Sequence, residues 1–321
     1  MNTNNMKKAI TLVTLPMVAG IAQAGPAYYH AVKDFVSSQG AAPAPRTFTS
    51  TNFKNSSDSY TDKNIGVWGN GKLRTSDPDH GTPPTTFGWT DLIKRDVNTS
   101  GNKYVVNPDR EDGRSPFAAE GQKKGTLREV FGGNNLSRIL DGEDQKIRWN
   151  VDLFFQPGQF LEVSNNMNTD KIDFTVLERG ANSKILWAGI TGEKNGQTQY
   201  LFGDLANLNN IIIDFSKDYA GNTDFRLNTL EISGSQKVVG TGVNLAQFKN
   251  DANVNPFAGK KLVGIALFDI SGMYYKGKKY DFDGPDIVDV MAAPVPEPVT
   301  MFSMVAGLGA LAARRRRNKK S

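Results

Sequence analysis

The side chains able to do chemistry are sparse, and most of them fall in turns. His30 and His80 are the only two imidazoles, and cysteine is absent. Thiol nucleophiles, disulfides and cysteine metal sites are therefore excluded. The chain has no Gly-x-Ser-x-Gly elbow, no His-Glu-x-x-His pair and no phosphate-binding glycine loop. A serine hydrolase would have to recruit one of the two histidines as its base, with nothing around either to mark it. Paired carboxylates are the remaining catalytic option, because glycoside hydrolysis needs only two acids at a suitable separation. Asp141, Glu143, Asp144, Glu178 and Glu231 are the candidates. Acids on turns and sheet faces usually serve solubility, so the reading is a protein without catalysis. A secreted carbohydrate-active enzyme is the alternative.

Two stretches could hold a cation. Asp281-Phe282-Asp283-Gly284-Pro285-Asp286 crowds carboxylates into a glycine-containing turn, and Asp141-Gly142-Glu143-Asp144 does the same. Calcium takes six to eight oxygens, which alternating carboxylates and carbonyls of a turn can supply. Neither stretch has EF-hand spacing. An ordinary acidic turn is the simpler reading, so no cofactor is required, with Ca2+ at Asp281, Asp283 and Asp286 as the option. Sugar recognition needs a flat ring to stack on and amides or carboxylates to bond hydroxyls. Trp187 and the Tyr274-Tyr275-Lys276 loop are the candidate glycan contacts, against a role in core packing or loop anchoring.

The elements that would position these residues are strands. Ile147, Trp149, Val151, Leu153 and Phe155 alternate with Arg148, Asn150, Asp152 and Phe154, the period of a half-buried strand closed by Pro157-Gly158. Similar runs recur at 171–177, 184–190, 199–202, 210–215, 225–232, 261–268 and 287–292, punctuated by Asn, Asp and Gly. Thr126-Leu127-Arg128-Glu129 is a capping box that starts a short helical turn, ended by Gly132-Gly133. Helical periodicity is otherwise almost absent, and no long-period repeat marks a propeller or solenoid. The expected fold is mainly β: an antiparallel, jelly-roll-like β-sandwich over residues 126–292. Residues 25–125 are polar and poorly periodic, and read as an irregular region with short strands.

The charge balance sits at the ends. The chain of 321 residues carries 38 Lys and Arg against 33 Asp and Glu. Eight of those cations (Lys7, Lys8, Arg314 to Arg317, Lys319 and Lys320) lie in terminal segments that contain no acid; the remaining 30 basic side chains face 33 acidic ones, a net of −3. The basicity is therefore an address and not a binding face, and no nucleic-acid partner is expected. At the N-terminus, Lys7-Lys8 precede an apolar stretch from Ala9 to Ile21. Ala22-Gln23-Ala24 then offers small residues at the −3 and −1 positions. Signal peptidase needs such side chains, so residues 1–24 read as a signal helix cleaved after Ala24, an exported chain's leader.

At the C-terminus, Pro294-Val295-Pro296-Glu297-Pro298 leads into an apolar run from Val299 to Ala313 and then Arg314-Arg315-Arg316-Arg317-Asn318-Lys319-Lys320-Ser321. The prolines keep the entry extended, a form a membrane-embedded protease can grip. As a helix the run would span roughly 22 Å, short of the ~30 Å hydrocarbon core. The arginines hold the end in the cytoplasm.

In this order the tail resembles the PEP-CTERM sorting signal of Gram-negative bacteria, also catalogued as the ice-binding protein C-terminal domain. The resemblance covers residues 294–318. Its matching parts are the motif Pro296, Glu297 and Pro298, the small residues Ala306-Gly307-Leu308-Gly309 and the basic stop Arg314, Arg315, Arg316 and Arg317. It implies transient membrane insertion of a hydrophobic helix, then processing by an exosortase beside exopolysaccharide secretion. The ice-binding label concerns the tail, and the body has no regular Thr-x-Thr ladder.

The body is similar to exosortase-dependent surface proteins in four stretches. These are Val130-Phe131-Gly132 through Leu140-Asp141-Gly142-Glu143-Asp144, Val176 to Ser183, Arg226 to Ile232 with Gln236-Lys237-Val238, and Gly284 to Val288. The expectation is a cell-surface or extracellular-matrix protein of biofilm, structural or adhesive toward extracellular polysaccharide, with signal peptidase and exosortase as partners during export. A tail-anchored membrane protein is the second alternative.

Overall fold

A computed structural model describes residues 26–39, 45–61, 68–77, 82–94, 104–108, 124–142, 148–227, 235–280 and 284–296. The expected signal helix and C-terminal hydrophobic helix lie outside these residues. Within them the chain is mainly β, and its paired strands run antiparallel.

In chain order the first strands are β1 (Tyr29–Gln39), β2 (Arg46–Phe53), β3 (Ser59–Thr61), β4 (Trp68–Asp77), β5 (Thr82–Phe87), β6 (Ile93–Lys94), β7 (Tyr104–Pro108) and β8 (Lys124–Gly125). The helix α1 (Leu127–Phe131) follows, then β9 (Arg138–Gly142), β10 (Arg148–Phe155), β11 (Gln159–Glu162), β12 (Phe174–Arg179), β13 (Lys184–Lys194), β14 (Gln197–Leu201) and β15 (Ile212–Asp214). The last are β16 (Gly221–Leu227), β17 (Gln236–Val243), β18 (Lys261–Leu262), β19 (Gly264–Phe268), β20 (Met273–Tyr275), β21 (Lys278–Tyr280), β22 (Ile287–Ala292) and β23 (Val295–Pro296).

A nine-stranded sheet has the order β3-β2-β1-β17-β12-β22-β9-β7, with β16 also on β17. A seven-stranded sheet has the order β14-β13-β19-β10-β4-β5, with β15 also on β13. The main core gathers side chains from both: Leu73, Trp149, Val151, Leu153, Ile265 and Leu267 from one, Phe174, Val176, Val243 and Val290 from the other. The Trp68 indole N–H ties them directly, donating to the Val290 carbonyl at 2.6 Å. The alternation read along β10 is present, with Trp149, Val151, Leu153 and Phe155 buried in this core. The capping box also forms: Thr126 Oγ1 accepts from the Glu129 N–H, and Glu129 accepts from the Thr126 N–H.

Both large sheets curl. The nine-stranded sheet wraps a second apolar cluster that includes Val32, Phe48, Phe53, Tyr60, Leu177, Val238 and Met291. Its β2 strand meets residues beside β9 through a Thr47 to Asn135 bridge and a bond from the Leu136 N–H to the Arg46 carbonyl. The wrap needs a bent β1, which carries two register shifts between Lys33 and Ser37 and a positive φ of 47° at Asp34.

The described residues within 25–125 differ from the irregular region expected. They supply β1, eleven residues long and paired to β17, and β4, ten residues long and paired to β10. Each joins a strand far along the chain, a pairing that local periodicity cannot reveal.

Candidate functional site

Among the described residues, the most exposed aromatic side chain is held by a tight hairpin. β20 and β21 are joined by Lys276-Gly277 at φ 48° and 77°, the left-handed pair that a two-residue turn requires. Alternation across the hairpin sends Met273 and Tyr275 against the core and leaves Tyr274 70% exposed. The hairpin is fastened to the loop after β14. Tyr275 Oη donates to the Leu205 carbonyl at 2.8 Å, Lys276 Nζ donates to the same oxygen at 3.0 Å, and Lys278 Nζ donates to Asn209 Oδ1 at 3.2 Å.

That loop is itself ordered by a buried acid. Asp204 Oδ1 accepts from the N–H groups of Ala206 and Asn207, and its Oδ2 accepts from Asn210 Nδ2 and the Asp251 N–H, all at 2.9 Å. Burial alone would raise the Asp204 carboxyl. The donors, led by the Asp251 N–H, outweigh it and hold the acid below its ordinary value. Asp251 Oδ1 in turn accepts from Asn210 Nδ2 at 2.7 Å and Asn207 Nδ2 at 3.3 Å. The outcome is an exposed ring (Tyr274) on the outer row of a hairpin whose other row, Tyr275 and Lys278, is fixed to a loop of oriented amides and carboxylates. The exposed ring can stack on a sugar.

Tyr274 and Tyr275 were legible in the sequence; Leu205, Asn207, Asn209 and Asp251 were not. The Asp204, Asn207, Asn210 spacing is a local signal of an acid-organised turn, but nothing local brings Asp251 to it.

Trp187 is corrected. It is fully buried, its Nε1–H donates to Tyr29 Oη at 2.8 Å, and it stacks on Phe257 with centroids 5.4 Å apart. Its place on the inward row of β13 leaves no face for a sugar. It is a core residue.

Glu178 is likewise inaccessible. It accepts from Ser183 Oγ at 2.7 Å and the Ala181 N–H at 2.8 Å, bracing a turn that passes through Gly180 and Ala181 at φ 114° and 64°. Burial, opposed by those two bonds and by Arg179, pushes its carboxyl up to about 8. No substrate can reach it as a member of a catalytic pair.

Asp286 faces a cation of the chain's own. Its Oδ2 accepts from Arg179 Nε at 3.1 Å and from the terminal Arg179 Nη2 at 2.7 Å. Asp281 and Asp283 lie outside the described residues, as do Glu143, Asp144, Glu231 and His80; Asp141 sits in β9 opposite Val105. Among the described residues, no group of three or more His, Asp or Glu stands close enough to hold a metal. His30 is buried, with Nδ1 3.2 Å from the Lys54 carbonyl.

Around Arg179 three of the stretches singled out in the sequence converge. The Arg179 N–H donates to the Asp286 carbonyl, the Gly180 N–H to the Lys237 carbonyl, and Ser183 Oγ to the Gly284 carbonyl. They meet as a structural joint rather than a reactive centre.

Pro296 closes β23, which pairs with β11 through Gln159 and Phe160. Glu297, Pro298, Arg314 to Arg317, Ala22 and Ala24 lie outside the described residues. Among the described residues, no helix is long and apolar enough to cross a membrane. Compared with known protein families, curated proteins and solved structures, the chain matches none of them.

Proposed function

We propose that the chain is exported, trimmed at both ends and delivered to the cell surface or extracellular matrix, where it serves as a structural or adhesive protein of exopolysaccharide without catalysis of its own. In this reading the two sheets form a jelly-roll-like sandwich, and signal peptidase and an exosortase act on it during export. The order of Pro-Glu-Pro motif, short apolar run and arginine cluster at the C-terminus, with a leader-like N-terminus, supports the route. The pairing of Pro296 with Gln159 supports it too, since the first residue of the sorting motif is held in an extended strand.

The observation that carries the adhesive role is Tyr274, an exposed ring on a hairpin pinned to an amide- and acid-rich loop. The full chain on a glycan array is expected to retain at least one polysaccharide, and Tyr274→Ala is expected to weaken that retention at least tenfold. An unchanged signal from Tyr274→Ala would exclude the hairpin as the adhesive surface. Turnover of a glycan that Asp141→Asn or Glu231→Gln abolishes would replace adhesion with catalysis.

A further inference from the structure

The seven-stranded sheet has a second face that the hairpin does not use. β14 and β10 are separated in that sheet by β13 and β19. At a strand spacing of about 4.8 Å, a flat sheet would hold them about 14 Å apart. A threonine and an aspartate cannot bridge that gap. Yet Thr198 Oγ1 donates to Asp152 Oδ2 at 2.6 Å, and Tyr200 Oη donates to Asp152 Oδ1 at 2.9 Å. The sheet is therefore rolled into a trough on the side opposite the main core. The register puts Asp152, Ala266 and Ala188 in one row across its floor, all fully buried, so the accessible part of this face is its rim.

The trough has the chemistry of a sugar site. Tyr200, Phe202 and Phe268 are half-buried and cluster with centroids 5.2 to 5.9 Å apart. Asn150, paired with Phe268 in the register, donates through Nδ2 to Asp152 at 2.9 Å and Tyr200 at 3.2 Å. Those bonds fix the amide plane, and its oxygen takes no bond from the described residues. Arg74 bonds Asp152, Tyr200 and Thr198 while its side chain stays 31% exposed. The cations on this face have acids beside them: Arg74 pairs with Asp152, Lys72 with Glu193, and Arg148 stands near Asp269. A polyanion would meet those acids there, and a neutral ligand would meet no uncompensated charge.

We propose that the rim of this curled face binds a neutral polysaccharide chain. Rings of Tyr200, Phe202 and Phe268 would pack against the sugars, and the Asn150 oxygen and remaining Arg74 N–H groups would take their hydroxyls. This face adjoins the segment that enters the hairpin: Arg148, on the same row of β10, donates to the Gly272 carbonyl at 3.2 Å. The proposal takes its ligand class from the reading above but stands on different residues.

Native electrophoresis of the full chain through gels containing dextran, mannan or hydroxyethylcellulose, with alginate as the polyanion, tests it. At least one neutral gel is expected to retard the chain. Asn150→Ala and Phe202→Ala, shown folded by an unchanged melting temperature, are each expected to weaken that retardation at least tenfold. Amide exchange on the wild-type chain needs no variant: the retarding polysaccharide is expected to slow residues 197–202. Retardation that both variants keep, retardation by alginate alone, none in any neutral gel, or no slowing at 197–202 would each overturn the proposal. So would slowing of those amides with protein concentration alone, which would put a second copy on the face. If Tyr274→Ala abolishes retardation while both trough variants keep it, the hairpin binds the sugar and the trough does not. If both trough variants abolish retardation while Tyr274→Ala keeps it, the trough binds the sugar and the hairpin does not.

Discussion

Glu178 shows how one buried side chain sets the direction of pH dependence. Its ordinary value is 4.5 and burial raises it to about 8 in the folded chain. Between those values the folded state holds a proton that the unfolded state releases, so stability is full below about pH 4.5 and declines as pH rises toward 8. Asp173 and Asp269, both raised by burial from 3.8 to about 6, act in the same direction over a lower window. Asp204 and Asp214, held below 3.8 by their donors, act oppositely and only in acid below that value. The melting temperature is therefore expected to fall from pH 6 to pH 8. Glu178→Gln is expected to flatten that slope by about 2–3 kcal/mol of stability. Parallel slopes in thermal melts of the two proteins would refute the assignment. Trp187 makes a second test at this scale. Trp187→Ala opens a cavity among Tyr29, Phe174 and Phe257 and is expected to cost about 3–5 kcal/mol by urea titration, with no change specific to sugar binding. A loss below about 1 kcal/mol would contradict its place in the core.

Hairpins carry the surface features, and their turns are where element-scale predictions belong. Gly277 sits at φ 77°. Gly277→Ala is expected to cost about 1–2 kcal/mol and to weaken glycan retention, because a methyl there opposes the left-handed turn that aims Tyr274. Tyr274→Ala touches no buried contact and is expected to leave stability within about 0.5 kcal/mol. Equal melting temperatures for wild type and Tyr274→Ala, with a lower one for Gly277→Ala, check both.

Legibility also differs element by element. The strand at β10 was readable because its alternation is clean, and β22 because five apolar residues surround one acid. β17 was missed because Gly240 and Gly242 look like turn residues. They are glycines because a side chain at 240 would run into Leu177 and Val32, and one at 242 into Phe53 and Ile172. Trp187 and Tyr274 are both aromatic residues in strands, and only tertiary placement separates a core anchor from an exposed ring. Asp152 lies on the outward row of β10 yet is fully buried, because curl, which has no local signature, brings Thr198 and Tyr200 over it.

For the molecule as a whole, the body and the tail answer different questions. The main core and the second cluster give a folded unit held on both faces of the nine-stranded sheet. The terminal segments supply the apparent basicity and, on the reading proposed, are removed. The proposed route is read from the ends alone, while the candidate surfaces needed the fold, since Leu205 and Tyr275 meet only in three dimensions. The most direct test of the central claim is mass spectrometry of both termini of the protein recovered from the cell exterior, with and without the exosortase. A mature chain that begins at Gly25 and lacks Arg314–Ser321 is expected when the exosortase is present, and a membrane-retained chain carrying that tail when it is absent. An inner-membrane protein that keeps Arg314–Ser321 in both strains would contradict the claim.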